Sequence, residues 1–451
     1  MSSKEQLTRL GLFDAKVPRY TSYPTAPHFA GGVGADTFAR WIGAIPAGSE
    51  ISLYVHIPFC RRLCWFCACR TQGTQSAAPV RAYLDTLKAE IALFGHHLPE
   101  GVRISRLHWG GGTPTLLEPE MIRELAEAIF AAAPMAAKGE FSVEIDPNEI
   151  DAARISALAE AGMNRASIGV QDFDGEIQQV IGRIQGYDIT RRTAEMLRDC
   201  GIGSLNADIL YGLPHQTPAR IADSVQKLLS LAPDRVALYG YAHVPWMARR
   251  QTMIPAESLP SPEARLKLFE TARELFLWDG YAEIGIDHFA VSGDGLARAQ
   301  TAGRLRRNFQ GYTDDQADVL VGLGASAISR FPQGYAQNAP VTSAYAARVR
   351  NGAFATVRGH EFTQEDRLRG RMIEALMCDF RIDRREILER FAIAPERLDD
   401  MFRKAAEAFD GLPRITGKGF EIPPEARPLT RMIARAFDEY DLARAGHSAA
   451  I

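Results

Sequence analysis

Short apolar runs alternate with amphipathic helical patterns along residues 51–241, and this alternation limits the folds open to the chain. Six runs are typical of buried strands: Ile51–Ile57, Arg103–Trp109, Phe141–Ile145, Arg165–Val170, Leu205–Tyr211 and Val236–Tyr241. Five segments between them repeat apolar residues at helical spacing: Val80–Phe94, Met121–Ala133, Ala152–Ala161, Ile189–Cys200 and Ala219–Leu231. Strands joined by helical crossovers form a parallel sheet, either a barrel or an open doubly wound sheet. In both arrangements the chemistry lies at the carboxyl ends of the strands.

The chain on either side of this pattern has a different character. Residues 1–50 form a polar arm, in which the two prolines of Val17–Thr25 predict an extended segment. The tail has helical patterns followed by a short hairpin, an order similar to a winged helix: Glu365–Phe380, Arg384–Phe391, Pro395–Phe409, then Gly411–Ile422. Residues 365–440 hold 15 Lys and Arg against 16 Asp and Glu, which argues against DNA binding. We expect an N-terminal arm (1–50), a barrel region (51–355) and a mainly helical lid or packing domain (356–451).

The composition excludes several classes of protein. Hydrophobic residues make up 46% and charged residues 24% of the 451 residues, as in soluble globular proteins. The formal charge of −3 provides no positive field for nucleic acid. No apolar run approaches the roughly 20 residues of a membrane span. We therefore expect no nucleic-acid partner, no membrane segment and no targeting segment.

Four of the six cysteines lie within ten residues: Cys60, Cys64, Cys67 and Cys69. Clustered thiols in a chain without a leader indicate a reducing, cytoplasmic compartment and a metal centre rather than disulfides. The spacing C-x3-C-x2-C directly after the first strand can hold three corners of an iron–sulfur cubane and leave the fourth iron open. A zinc site is the alternative, although zinc loops usually separate their Cys pairs by a spacer. Cys200 and Cys378 fall in helical patterns, and we expect both in the core.

A glycine-rich turn follows the second predicted strand, in the sequence WGGGTPT of Trp109–Thr115. Three consecutive glycines let the backbone approach a ligand closely and expose its N–H and C=O groups. The turn lacks the Gly-Lys-Ser/Thr ending of a P-loop and the spacing of the dinucleotide fingerprint. Because this turn lies one strand beyond the cysteine loop, we expect the two to share a site.

The cysteine loop and the GGGTP turn together resemble the radical S-adenosylmethionine (SAM) enzymes. Nearly the whole chain is similar to successive blocks of the oxygen-independent coproporphyrinogen III oxidases: PRYTSYPTAPHF, YVHIPFCRRLCWFCACR, HWGGGTPT, SVEIDPNE, SIGVQDF, NADILYGLPHQT, YGYAHVPW, RRNFQGYT and GLGASAIS. The resemblance implies an α/β fold, an incomplete parallel (β/α)6 barrel with an N-terminal arm and a mainly helical, winged-helix-like C-terminal domain. It also implies that a 5′-deoxyadenosyl radical drives oxidative decarboxylation of two propionates of coproporphyrinogen III to vinyls, giving protoporphyrinogen IX for haem biosynthesis.

The resemblance implies roles for individual residues. Cys60, Cys64 and Cys67 would ligate one [4Fe–4S] cluster, with two SAM molecules beside it. Four positions match contacts of the SAM on the cluster: Tyr54, Gly111, Glu144 and Ile328. Seven match contacts of the second SAM: Phe66, Gly112, Thr113, Gln171, Arg183, Asp208 and Ala242. Structural alternatives remain open, since carboxylates also cap helices, arginines also face solvent and apolar side chains also lie in cores.

The implied substrate carries four carboxylates, so cationic anchors are expected. We predict Arg19, Arg307 and Arg431, for which surface ion pairs are the alternative. A reduced flavodoxin or ferredoxin would supply electrons, and the enzyme would act as a monomer. Cys69 would find no free corner of the cluster, which leaves it as a resolving thiol or a packing residue.

Two other functions remain open on the sequence. A haem chaperone of the same superfamily would keep the three cysteines without decarboxylating, but would lack the PRYTSYPT arm and the additional C-x-C cysteine. A different radical SAM decarboxylase or haem-degrading methyltransferase would share the barrel blocks and differ in the arm and tail. The arm and the additional cysteine are both present, which favours the oxidase.

Overall fold

A twelve-stranded mixed sheet forms the centre of the computed structural model, which describes residues 3–440 and 449–451. We label its strands in chain order. The first six are β1 Glu50–Ile57, β2 Arg103–Gly111, β3 Met135–Ile145, β4 Arg165–Gln171, β5 Ser204–Tyr211 and β6 Arg235–Gly240. The others are β7 Ala282–Ile284, β8 His288–Ala290, β9 Leu320–Leu323, β10 Ile328–Phe331, β11 Gly334–Asn338 and β12 Thr356–Glu361.

The sheet order is β12-β11-β10-β9-β1-β2-β3-β4-β5-β6-β8-β7. Strands β1 to β6 are neighbours in chain order and pair in parallel throughout, which confirms the predicted six-stranded parallel core. Strand β9 adds a further parallel strand beside β1, and antiparallel strands extend both sides of the sheet. Because β12 and β7 do not pair with each other, the barrel is incomplete, as expected.

Helices connect the parallel strands and pack on the outer face of the sheet. The five helices predicted between the strands are all present, with ends shifted by a few residues: Ala78–His97, Pro119–Ala132, Ala152–Glu160, Tyr187–Asp199 and Pro218–Leu229. Ten further α-helices occur among the described residues: Ser3–Arg9, Ala35–Gly43, Gly175–Val180, Pro262–Trp278, Gly295–Thr301, Thr342–Arg350, Gln364–Asp379, Arg384–Arg390, Pro395–Glu407 and Thr430–Arg435.

Side chains on the parallel strands alternate between an apolar outer face and a polar inner face. On β2, Leu107 and Trp109 are buried against the helices, whereas His108 between them points into the barrel. Successive side chains of a strand point to opposite faces, so one strand serves both the core and the interior. The parallel register aligns Tyr54, His108 and Ser142 in one row across three strands.

A second hydrophobic core joins the N-terminal arm to the C-terminal region. Tyr20 and Tyr23 of the arm are buried in the same cluster as Phe402, Phe420 and Phe437. Residues 17–25 contain no helix or strand. The segment is not extended throughout as predicted, because residues 21–24 bend and Tyr20 has a positive φ of 48°. The helices Ser3–Arg9 and Ala35–Gly43 within the predicted polar arm were not expected.

The C-terminal region has the predicted three helices and hairpin, Arg414–Thr416 with Gly419–Glu421. A third strand, Arg381–Asp383, pairs with Gly419–Glu421 and completes a small antiparallel sheet. Residues 441–448 of the predicted 356–451 domain lie outside the described residues. The division at residues 50 and 355 stays a prediction.

One cysteine prediction was wrong. Cys378 is buried as expected, but Cys200 is exposed, because it caps the carboxyl end of its helix after the last core residue, Leu197. No helix among the described residues has the length and apolarity that crossing a membrane requires.

Candidate active site

The three predicted cluster cysteines lie on one loop after β1. A two-residue parallel ladder between Phe59–Cys60 and Gln72–Gly73 closes this loop. Within it, the Trp65 N–H donates to the Ile181 carbonyl at 2.9 Å, which fixes the loop to the segment after β4. Cys60, Cys64 and Cys67 are free and half-buried.

The donor set of this loop fits an iron–sulfur cluster. Three free thiols lie close enough that Cys64 and Cys67 both influence the pKa of Cys60, which burial raises to about 11. Within the part of the chain described, no three His, Cys, Asp or Glu side chains gather closely enough to hold a single metal ion. A cubane that binds SAM needs three thiolate ligands and a fourth iron without a protein ligand.

Cys69 contacts Cys67 through its N–H and its thiol, and its carbonyl accepts from Arg250 Nη2 at 3.1 Å. Its N–H lies 3.4 Å from the Cys67 sulfur and donates to it. The Cys69 thiol also donates to Cys67, and this bond lowers the pKa of Cys67. Hydrogen bonds to a ligating sulfur tune a cluster's potential, so Cys69 has a supporting position beside the predicted ligand.

The glycine turn after β2 packs directly against the cysteine loop. The Gly112 N–H donates to the Ile57 carbonyl at 2.8 Å, and the Thr113 N–H to the Phe59 carbonyl at 2.7 Å. A Cβ atom at Gly112 would lie 2.5 Å from the Phe59 carbonyl oxygen, so no larger residue fits. The Thr113 hydroxyl also hydrogen-bonds the Cys60 thiol. The two motifs therefore form one site, as their order predicted.

Glu144 at the end of β3 connects this turn to the barrel interior. It accepts from the Gly111 N–H at 3.0 Å, and His108 Nε2 lies 3.4 Å from its other oxygen. Burial opposes its ionisation, but the hydrogen bond and charge of His108 hold the pKa of Glu144 below its usual value. The Tyr54 ring stacks on His108 with centroids 5.8 Å apart. Tyr54, Gly111 and Glu144 are thus brought together.

Ile328 lies across one strand from Tyr54. Tyr54 pairs with Gly322 of β9, and a Cβ at Gly322 would lie 2.6 Å from the Ile328 carbonyl oxygen. The missing side chain at Gly322 therefore lets the Ile328 backbone approach the row of Tyr54.

Arg183, one of the residues predicted to contact the second SAM, is fixed by several groups of the site. It donates to the Gly169 carbonyl at 2.9 Å, and its Nη1 lies 3.2 Å from Asp146 and 3.6 Å from the Cys64 sulfur. The side chains of Arg183 and Gln171 both lie beside Gly169, where a larger residue would have its Cβ. Gln171 ends β4 and has a positive φ of 68°. This arginine is an interior ion-pair partner rather than a solvent-facing one.

Asp208 faces the barrel interior from β5. It accepts from Asn206 Nδ2 at 2.8 Å, yet burial raises its pKa to about 7. Asp208 and Glu144 line the same interior cavity of about 220 Å³. Neither carboxylate caps a helix, which was the structural alternative.

A buried glutamine that the sequence analysis missed links Phe66 to Ala242. Gln251 Nε2 donates to the Phe66 carbonyl at 2.8 Å and to the Ala242 carbonyl at 3.0 Å. Phe66 itself packs on an apolar cluster that includes Ile181 and Ile254. A lone Gln in RRQTM carries no recognisable pattern, whereas Asp146 could have been found as the second acidic residue of EIDPNE.

All three predicted substrate anchors line one cavity of about 680 Å³: Arg19, Arg307 and Arg431. It lies beyond the end of β6, where Gly240 and Ala242 form part of its wall. Four other cations line it, namely Lys16, Arg265, Arg273 and Arg427. Four acidic side chains also line it: Glu270, Glu283, Asp287 and Glu425. Seven basic against four acidic side chains leave the cavity net positive, which suits a ligand with several carboxylates.

The three anchors differ in their present partners. Arg19 donates to the Gly240 carbonyl at 2.7 Å. Arg307 lies 3.6 Å from Asp287, while its buried Nε and Nη1 have no hydrogen-bond partner in the described structure. Arg431 donates to backbone carbonyls of residues 17, 18, 449 and 450.

A parallel barrel with a three-cysteine loop after β1 defines the class of protein. The family model of the Radical SAM superfamily matches residues 54–228. Fold and comparison together therefore agree on a radical SAM barrel.

Similarity over the full chain is more specific. The oxygen-independent coproporphyrinogen III oxidase of Paracoccus denitrificans is 67% identical over 451 residues and covers 100% of both chains. That of Pseudomonas aeruginosa is 40% identical over 436 residues, 95% of this chain and 94% of that one. The solved coproporphyrinogen III oxidase of Escherichia coli superposes with a TM-score of 0.88 at 36% identity, covering 95% of this chain and 100% of that one. The chain belongs to the family of oxygen-independent coproporphyrinogen III oxidases.

Proposed function

We propose that this chain converts coproporphyrinogen III to protoporphyrinogen IX by oxidative decarboxylation of two propionates to vinyls, without oxygen. The observation that carries this proposal is the cationic cavity directly beside the cysteine-loop site. Gln251 donates both to Phe66 of that loop and to Ala242 of the cavity wall. A tetracarboxylate bound among the arginines would therefore lie next to the cofactors.

The cofactor chemistry is that of the superfamily: a bound [4Fe–4S] cluster and SAM supply the radical chemistry that removes an unactivated propionate hydrogen. Cys60, Cys64 and Cys67 would hold the cluster. Tyr54, Gly111, Glu144 and Ile328 would contact the SAM on it. The second SAM would be contacted by Phe66, Gly112, Thr113, Gln171, Arg183, Asp208 and Ala242.

The protein's own contribution is preorganisation. His108 and the Gly111 N–H hold Glu144 ionised in one orientation before any ligand arrives. Asp146 and the Gly169 carbonyl fix Arg183 in the same way. Groups held in place in advance lose little entropy when they bind a ligand.

The arginines of the cavity would bind the substrate carboxylates. Arg307 offers two buried donors without partners in the described structure, Nε and Nη1, each of which suits a carboxylate oxygen. Arg19 offers a second cation from the arm. Arg431 would anchor the substrate from the C-terminal helix while its bonds to residues 17 and 18 keep the arm over the cavity.

The family comparisons favour the oxidase over the haem chaperone, since two relatives that match the entire chain are oxidases. We further propose that a reduced flavodoxin or ferredoxin supplies the electrons, that the enzyme acts as a monomer, and that it works in the cytoplasm. Six free cysteines support a reducing compartment.

Anaerobic turnover tests the proposal. Reconstituted enzyme with reductant, SAM and coproporphyrinogen III should yield a product that has lost two CO2, as measured by mass spectrometry. The Arg19→Ala variant should show a higher KM with unchanged iron and sulfide content. Stoichiometric haem binding without decarboxylation would instead establish the chaperone.

A further inference from the structure

One carboxylate lies among the cations of the cavity that would bind the substrate. Asp287, on the turn between β7 and β8, lines this cavity together with Arg19, Arg307 and Arg431. Burial opposes its ionisation, but the charge of Arg307 and a hydrogen bond from His288 hold the pKa of Asp287 at about 2, and Arg19 acts in the same direction. Burial lowers the pKa of Arg431, and the charge of Asp287 opposes that shift. The ionised Asp287 is therefore within electrostatic reach of all three anchors.

The other three acidic side chains of the cavity have different surroundings. Glu270 and Glu425 are exposed to solvent. Both oxygens of Glu283 accept from Arg273, at 2.6 and 2.8 Å. The Asp287 side chain, in contrast, is only 18% exposed. A sheltered negative charge opposes the binding of a carboxylate next to it, so a ligand made of carboxylates alone does not account for Asp287.

The Asp287 carboxylate has unused capacity to accept hydrogen bonds. His288 Nδ1 lies 2.7 Å from its Oδ1 and must donate, because an ionised carboxylate can only accept. Its Oδ2 lies 3.6 Å from Arg307 Nη2, which is longer than a hydrogen bond, and no described residue donates to this oxygen. A carboxylate offers about four lone-pair sites, so Asp287 can accept further N–H groups from a ligand.

Backbone contacts hold this carboxylate in one place. The Leu238 N–H of β6 donates to the Asp287 carbonyl at 2.8 Å. The Ile286 N–H donates to the Tyr312 hydroxyl at 3.0 Å. A Cβ atom at Gly285 would lie 2.1 Å from the Tyr312 ring, so the turn packs closely on that side chain. An acceptor fixed in advance loses little entropy when it binds a ligand.

We propose that Asp287 accepts the pyrrole N–H groups of the substrate and thereby selects a tetrapyrrole in the porphyrinogen state. A porphyrinogen has four pyrrole N–H donors at the centre of its macrocycle, and its methylene bridges let the pyrroles tilt so that several N–H groups reach one face. Coproporphyrinogen III carries its four carboxylates around the rim. One anionic acceptor with three arginines within electrostatic reach is the complementary pattern.

The proposal rests on the proposed function for the identity of the tetrapyrrole. Its test compares two ligands on the cluster-loaded enzyme without oxygen: coproporphyrinogen III and the palladium(II) complex of coproporphyrin III. The complex carries the same four carboxylates but has no N–H group, and square-planar palladium(II) takes no axial ligand. The test variant is Asp287→Asn, which puts an amide N–H donor in place of the free acceptor. Calorimetry measures both Kd values, and steady-state kinetics measures KM and kcat.

Asp287→Asn should raise the KM and Kd for coproporphyrinogen III about tenfold or more, because the amide donor faces the pyrrole donors. The kcat should stay near that of the unmodified enzyme, since the contact is the same in the ground state and the transition state. The Kd for the palladium complex should not rise, because that ligand loses no partner. Iron content, sulfide content and the Kd for SAM should be unchanged.

A matched control makes the same substitution outside the cavity. Asp279→Asn changes an exposed aspartate at the end of the helix Pro262–Trp278 and should leave both Kd values unchanged. The unmodified enzyme adds a measurement that needs no variant: it should bind coproporphyrinogen III about tenfold more tightly than the palladium complex. Equal affinities of the unmodified enzyme for the two ligands would overturn the proposal.

Two results with the variant would also overturn it. An equal rise in Kd for both ligands would show that Asp287 only positions Arg307 for carboxylates. An unchanged KM and Kd for coproporphyrinogen III would show that Asp287 does not contact the substrate. Binding of coproporphyrinogen III that depends on Asp287, without loss of CO2, would overturn the proposed function and support the acceptor role.

Discussion

The guanidinium group of Arg307 is held in position before any ligand binds. The group lies over the Tyr312 ring, 4.4 Å from the centroid, and 3.6 Å from Asp287. Two of its buried nitrogens have no partner among the described residues. An unpartnered buried donor is costly unless a ligand satisfies it, so this arginine is the strongest candidate for a substrate carboxylate.

Arg307→Lys keeps the charge and removes the planar guanidinium with its unpartnered Nε and Nη1 donors. We expect the KM for coproporphyrinogen III to rise roughly tenfold, since a lost charge-assisted hydrogen bond costs about 1.5–3 kcal/mol. Steady-state kinetics would measure it. The exposed Arg304→Lys serves as the control, and an unchanged KM in Arg307→Lys would remove this residue from the substrate site.

Glu144→Gln places an amide where the carboxylate accepts two donors, the Gly111 N–H and His108. The amide nitrogen of the variant cannot accept a hydrogen bond, so one of the two bonds that orient this side chain is lost. We therefore expect the Kd for SAM to rise about tenfold or more. Equilibrium binding to the reconstituted enzyme measures this. Iron content should not change, and Glu149→Gln should bind SAM normally. Equal affinities of the two variants would contradict the assigned role.

Among the secondary-structure elements, the helix Gln364–Asp379 joins the sheet to the C-terminal region. It begins with a capping box in which Thr363 and Asp366 bond each other's backbone N–H. Asp366 also accepts from His360 of β12 at 2.9 Å and from Tyr440 at 2.7 Å. Burial opposes ionisation of Asp366, but these bonds hold its pKa at about 2, below the ordinary 3.8.

Asp366→Asn should lower the free energy of unfolding by about 2 kcal/mol at pH 7. Because the folded-state pKa is depressed, this stabilisation is complete above pH 3.8 and is lost as the pH falls towards 2. Denaturant unfolding at pH 7 and pH 3 measures both values. Asp410→Asn, which changes an exposed ion pair with Arg9, should cost little at either pH. A pH-independent difference for Asp366→Asn would contradict this account.

The elements themselves were largely predictable. The apolar outer faces of β1 to β6 identify the strands. The helical spacing of residues such as Ile221, Val225 and Leu228 identifies the helices. Strand Arg381–Asp383 was missed because three residues carry no alternation and form a strand only through pairing with Gly419–Glu421. Cys200 was placed wrongly because the end of an amphipathic helix turns away from its core.

The site was predictable only in part. Cysteine and glycine spacing located the two loops, because each needs special chemistry or close backbone approach. The support from His108, Asp146 and Gln251 depends on contacts between distant segments, which no local pattern encodes. The assigned ligand residues remain predictions until a ligand-bound measurement tests them.

At the scale of the whole molecule, the N-terminal arm and the C-terminal region together complete the cationic cavity. Tyr20 of the arm donates to Asp438 at 2.9 Å, and Arg431 bonds the backbone of residues 17 and 18. Ala449 and Ile451 line the cavity beside Arg19. The barrel alone therefore provides the cofactor site, while arm and C-terminal region together provide the anchors that suit a tetracarboxylate.

We infer that radical chemistry at the cysteine loop acts on a substrate held in the cationic cavity. The most direct test quantifies 5′-deoxyadenosine and CO2 loss in one anaerobic sample whose iron and sulfide have been counted. We predict a four-iron cluster, 5′-deoxyadenosine formation that depends on coproporphyrinogen III, and loss of two CO2 per substrate. One zinc without sulfide, or SAM cleavage without decarboxylation, would contradict the account.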